Sequence, residues 1–122
     1  MQDVNVVVLF DSGDEAVERL ALAAAVGAVQ GRALIRLRRF HGTPESREYV
    51  TPRDGDADWA HAFVVGGTTA NEESRRYIGQ LGERVGLHVV ILECDTSDAA
   101  RDEGRRAAEQ AREQRRKRRA DS

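Results

Sequence analysis

The chain holds a single cysteine, Cys94, in 122 residues. No internal disulfide can form and no cysteine-rich metal site can be assembled. Its two prolines, Pro44 and Pro52, fall in one stretch, so the rest of the chain is free of that helix and strand breaker. Aromatic residues make up 5%, too few to interleave with basic side chains as a nucleic-acid platform, and nucleic acid is not an expected partner. No apolar run approaches the ~20 residues of a membrane-spanning helix, so no membrane partner is expected. The amino terminus shows no basic-then-apolar leader, and a cytoplasmic location is the expectation. His41, His61 and His88 have no ligand spacing between them, which argues against a zinc site. Lysine occurs once, as Lys117, against 18 arginines; the ratio reads as a coding bias, not a binding signature.

What is present is ordinary for a globular protein: 40% hydrophobic and 33% charged residues, enough for one domain with a real core. The net charge of −2 conceals an asymmetry. Residues 1–100 carry 10 Arg against 16 Asp and Glu, a net of −6, whereas residues 101–119 carry 9 Arg and Lys against 4 Asp and Glu, a net of +5. An acidic body with a basic end points to contact with something anionic, another copy of the acidic body included. The plainer alternative is a solvated helix end fading into disorder.

The segment Val6-Val-Val-Leu-Phe10 is too short to span a membrane and suits a strand covered on both faces. Turn and cap residues, Asp11 to Glu15, follow at once. A helix is expected to start near residues 13–16 and run to 29, capped by Ser12 or Asp14, with Asp14, Glu15 and Glu18 in a first turn where carboxylates complement the helix dipole. From Leu20 to Val29 this helix is apolar nearly all round. A helix lying on a sheet buries one stripe, so a second covering is required, either another helix or another subunit. Gly31 suits the position just past its end.

Residues 33–40 alternate, with Ala33, Ile35 and Leu37 on one face and Leu34, Arg36 and Arg38 on the other. Charges on one face fit an edge strand guarded against stray pairing. Residues 41–58 are polar and without period, so they form a long loop or hide a short crossover helix. A strand from about residue 58 to 65 runs into Gly66-Gly67-Thr68-Thr69, where paired glycines allow a tight turn or a close ligand. A helix over residues 74–84 is expected to bury Tyr77, Ile78, Leu81 and Val85 as one stripe. The last strand, residues 87–92, leads through Glu93–Asp98 to a closing helix over residues 98–115, whose inner stripe is Ala100, Gly104, Ala107, Ala108 and Ala111.

This order predicts an α/β three-layer sandwich with a mostly parallel sheet of about four strands in the order 2-1-3-4. Residues 1–114 form one domain, and residues 115–122 a basic tail expected to be disordered. The chemistry of such a fold lies at the carboxyl edge of its sheet. There Asp11, Asp14, Asp95 and Asp98 could converge on a divalent cation. Cys94 stands at a strand end beside Glu93 and Asp95, whose negative charges would blunt it as a nucleophile. No catalytic or metal-ligating residue is assigned.

The pattern resembles the flavodoxin-like fold and, within it, the NAD(P)H:quinone oxidoreductases related to the tryptophan-repressor-binding protein. Three segments carry the likeness: residues 7–21, with Glu18-Arg19-Leu20-Ala21; residues 56–69, ending Gly-Gly-Thr-Thr; and residues 104–112 of the closing helix. The resemblance implies FMN at the carboxyl edge, held by Ser12, Gly13, Gly66, Gly67, Thr68 and Thr69. Two features depart from it. The last strand leads directly into the closing helix, as though the middle of the family's chain were missing. The phosphate loop keeps Ser12 but carries Asp14 and Glu15 where a neutral residue and a glycine stand in the family. Two carboxylates repel a phosphate by ~1 kcal/mol per charge pair at ~4 Å even in water. No cofactor is therefore expected, with FMN as the alternative. The expected mode of action is association, as a homodimer or larger homo-oligomer.

Overall fold

A computed structural model of the chain describes residues 4–11, 15–40, 54–66, 72–84 and 87–121. Its elements are β1 (Val4–Asp11), α1 (Glu15–Gln30), β2 (Ala33–Phe40), α2 (Asp54–Trp59), β3 (Ala62–Gly66), α3 (Glu72–Gly82), β4 (His88–Ile91) and α4 (Ser97–Asp121). The four strands form one sheet in the order β2-β1-β3-β4, and every pairing is parallel. Val4 pairs with Ala33, Val6 with Ala62, and Ala62 with His88. Parallel neighbours require crossovers, which α1, α2 and α3 supply.

β1 takes the central place because its apolar run can be covered on both sides. Val6, Val8 and Phe10 pack under α1 and α4, together with the alanines of those helices. Val7 and Leu9 pack with Phe63, Val65 and Leu81, against partly buried Trp59, Tyr77 and Ile78 of α2 and α3. The expected three layers are thus present, in the expected order.

The second covering of α1 is α4. Ala21, Ala24, Ala25, Gly27 and Ala28 of α1 are buried, as are Ala100, Gly104, Ala107, Ala108 and Ala111 of α4. A Cβ on Gly27 would stand 1.8 Å from the Arg101 carbonyl oxygen, and one on Gly104 would stand 1.9 Å from that of Ala24. The two helices therefore touch backbone to backbone at a reciprocal glycine notch. α1 ends as expected in a left-handed residue, but that residue is Arg32 (φ 67°), not Gly31. Gly31 is needed for a different reason: a Cβ there would come 3.0 Å from Ala108 Cβ. Arg112 of α4 caps this end, donating to the carbonyls of Gly31 at 2.7 Å and Arg32 at 3.1 Å.

Three boundaries differ from the sequence reading. Residues 54–59 are helical and β3 starts at Ala62, so the region before it holds a hidden crossover helix and not the start of a strand. α3 spans Glu72–Gly82, two residues earlier than expected at each end. α4 continues to Asp121, past Arg115; at 1.5 Å per residue its 25 residues reach about 37 Å.

Candidate functional site at the carboxyl edge of the sheet

β1 and β2 finish together, Asp11 opposite Phe40, and Phe10 pairs with Gly66 at the end of β3. The polypeptide leaves the sheet at this edge toward the starts of α1, α3 and α4. Of the residues that the family likeness would place around a flavin, only Gly66 is among those described. Ser12, Gly13, Gly67, Thr68 and Thr69 lie outside them. Gly66 is buried, and a Cβ on it would meet Leu92 Cδ1 at 3.6 Å and Val17 Cγ1 at 3.7 Å, ordinary contact distances. It completes a small apolar floor with Val17 of α1 and Leu92 beyond β4. Leu92 is held there by its N–H, which donates to the Val65 carbonyl at 2.8 Å.

Acidic residues open α1 and follow β4 at this edge. Glu15 and Glu18 occupy the first turn of α1. Glu93 and Asp95 are exposed on the segment after β4. Thr96 caps α4: its Oγ1 accepts from Ala99 N at 3.2 Å, and its carbonyl accepts the first helical bond, from Ala100 N at 3.0 Å. Asp98 is paired with Arg101 at 2.5 Å. Among the described residues no group of three His, Cys, Asp or Glu side chains could hold a metal ion. Cys94 is half-buried and free.

A flavin phosphate at this edge needs unopposed N–H donors at the start of α1. The described part of that helix start carries the carboxylates of Glu15 and Glu18. Residues 12–14, which would complete a phosphate loop, lie outside the described residues, and no step through a flavin is derived.

The polar residues with the most defined surroundings lie elsewhere, and the sequence reading missed their roles. Asp56 of α2 is 1% exposed. Its carboxylate accepts from Arg38 Nε at 2.8 Å, from a second Arg38 nitrogen at 3.0 Å and from Arg36 at 3.2 Å. The Arg36 guanidinium also lies over the Trp59 ring, 4.1 Å from its centroid. Arg36 and Arg38 of β2 are therefore not a bare charged face. They fasten the crossover helix α2 to the edge strand. A short polar helix carrying Asp at its start, beside alternating arginines, is the only signal in the sequence that could have suggested it.

At the amino edge, Asn5 N donates to His61 Nδ1 at 2.8 Å and Asn5 Nδ2 donates to the Trp59 carbonyl at 2.9 Å. Burial, with the Arg115 cation adding to it, holds the His61 imidazole below its ordinary value of 6.5. A cleft of about 370 Å³ between α2 and α3 is lined by Ala57, Asp58, Tyr77, Gln80, Leu81 and Arg84. The Asp58–Arg84 ion pair bridges it.

No family model matches the chain, and no curated protein matches it. Among solved structures it is similar to the crystal structure of a diflavin flavoprotein A3 from Nostoc sp., over 96% of this chain and 99% of that one, with 10% identity and a TM-score of 0.54. Identity that low speaks for architecture alone. With the parallel sheet in the order β2-β1-β3-β4, it establishes a flavodoxin-like α/β fold. No described helix is long and apolar enough to cross a membrane.

Proposed function

We propose that this chain is a flavodoxin-like protein with a degenerate flavin phosphate site, acting through association with itself or a partner and not through redox catalysis. The observation that carries this reading is the acidic opening of α1, where Glu15 is the first residue and Asp14 precedes it in the sequence, at the helix end that holds the phosphate in flavin-binding proteins of this fold. Glu93 and Asp95 across the same edge add to the opposing field. Carboxylates also neutralise the helix dipole themselves, so the site's attraction for an external anion is spent inside the chain.

A titration of FMN with the purified chain, followed by flavin fluorescence, tests this. No saturable quenching is expected up to ~100 µM, a dissociation constant worth about −5.5 kcal/mol. Saturable quenching, or a yellow preparation with bound flavin, overturns it.

The second reading is an FMN-dependent NAD(P)H:quinone-type oxidoreductase, with Ser12, Gly13, Gly66, Gly67, Thr68 and Thr69 around the cofactor. The likeness to a diflavin flavoprotein favours it, as does the apolar floor of Val17, Gly66 and Leu92. The same titration separates the two readings.

A further inference from the structure

The outward side of α1 carries the one apolar ridge on a helix that neither the sheet nor α4 covers among the described residues. Leu22, Val26 and Val29 are 37%, 50% and 52% exposed. The remaining apolar residues of α1 from Val17 to Ala28 are buried or half-buried. Single exposed aliphatics need no explanation. Three at successive intervals of four and three residues trace the seam along which two helices pair. Exposed Glu15 and Arg19 extend the same line toward the start of the helix, and exposed Arg32 stands just past its end.

We propose that this ridge is the docking face for a second copy of the chain, with the two α1 helices antiparallel across a two-fold axis. The proposal rests on the association reading above and names its surface. Charge selects both occupant and direction. Parallel pairing would set Glu15 against Glu15 and Arg32 against Arg32. Antiparallel pairing centred between Leu22 and Val26 sets each of these against the other in the second copy, lays the Arg19 stem over Val29, and brings Glu15 beside Arg32. An isologous contact of this kind closes as a dimer.

The larger charge pattern agrees. α1 and α4 both begin at the carboxyl edge of the sheet, so an antiparallel dimer sets the acidic edge of one copy beside the basic end of α4 in the other. The net charges of −6 for residues 1–100 and +5 for residues 101–119 then complement each other between copies. A helix of 16 residues offers a contact line of about 24 Å. A contact along a single helix belongs to the small, transient class of interface, so the dimer exchanges with the monomer as concentration changes.

Sedimentation velocity of the full chain over about 5–500 µM tests this, and a shift from monomer to dimer with concentration is expected. Val26→Glu and Val29→Glu, at half-exposed positions, should each keep the chain monomeric at the highest concentration without lowering its melting temperature. Glu15→Arg should weaken the dimer at least tenfold, and Glu15→Arg combined with Arg32→Glu should restore it. A wild-type chain that stays monomeric throughout overturns both this inference and homo-association. A dimer indifferent to Val26→Glu and Val29→Glu overturns the proposed face alone. Loss of the dimer in Val26→Glu without rescue by the charge exchange overturns the antiparallel arrangement.

Discussion

Asn5 and His61, 56 positions apart, exchange two hydrogen bonds across the amino edge of the sheet. The Asn5 N–H donates to His61 Nδ1 and the His61 N–H donates to the Asn5 carbonyl, each at 2.8 Å. An imidazole nitrogen that accepts an amide proton cannot carry one, so the native fold holds His61 neutral, with its proton on Nε2.

The pH dependence follows from that tautomer. Burial first and the Arg115 cation second lower the His61 pKa from 6.5 in the folded chain, so between the folded and unfolded values the unfolded chain binds more protons. Stability then rises with pH through this window. The contribution is fully present above 6.5 and is lost as pH falls from there through the lowered folded value. An NMR titration should find the His61 imidazole titrating below 6.5 in the native protein. A value above it would show that the Asn5 bond does not constrain the tautomer.

Gly27 and Gly104 support a second expectation. Replacing either with alanine forces a methyl group onto a backbone carbonyl of the facing helix, which no side-chain rotation relieves. Overpacking of this kind costs about 3 kcal/mol. Once the first methyl has pushed the helices apart, the second finds room already made. Denaturant unfolding of the double variant should therefore show a loss well below the sum of the single losses. Strict additivity would mean that the two contacts relax independently.

These cases show what the sequence could and could not reveal. The strand order was legible because it rests on local runs, such as the five apolar residues ending at Phe10, and on general crossover rules. The small stripe on α4 and the need for a second cover on α1 were also legible, but not that each answers the other. That match depends on Gly27 facing Arg101, more than 70 positions away, and no periodicity encodes such a pairing. The helix α2 could be read only as an alternative to a long loop, because its six residues, Asp54–Trp59, are too short for an apolar period. It is held by Asp56 on Arg36 and Arg38, a tertiary contact. At the carboxyl edge, the acidic character of Glu15 and Glu18 could be read directly, whereas the floor of Val17, Gly66 and Leu92 joins three separate segments.

Asp56 and Asp58 are both paired aspartates, two positions apart on α2, and should behave differently. Asp56 is buried and accepts from two arginines, whereas the Asp58–Arg84 pair has both side chains about half exposed or more. Removing the Asp56 carboxylate strands Arg38, which is 14% exposed, while Arg36 at 37% can turn toward water. Asp56→Ala should cost about 2–3 kcal/mol, below the full value for a buried pair because of that escape. Asp58→Ala should stay within about 0.5 kcal/mol of wild type. Urea unfolding of the two variants checks the contrast, and equal losses would mean that Asp56 does not anchor α2.

The acidic first turn of α1 gives the last expectation, which concerns ligand and not stability. If Asp14 and Glu15 are what oppose a phosphate at this helix end, neutralising them should uncover an affinity that the fold otherwise supplies. Each carboxylate is worth ~1 kcal/mol against a nearby phosphate charge in water-like surroundings, about fivefold in affinity. Asp14→Asn with Glu15→Gln should then strengthen FMN binding on the order of 25-fold over the wild-type chain, and riboflavin, which lacks the phosphate, should gain nothing. Fluorescence titration with both ligands makes the comparison. An equal gain for riboflavin would place the effect away from the phosphate. No gain for FMN would show that the carboxylates are not the barrier, and that the obstacle to a flavin lies in the ring site or in the loop residues Ser12 and Gly13.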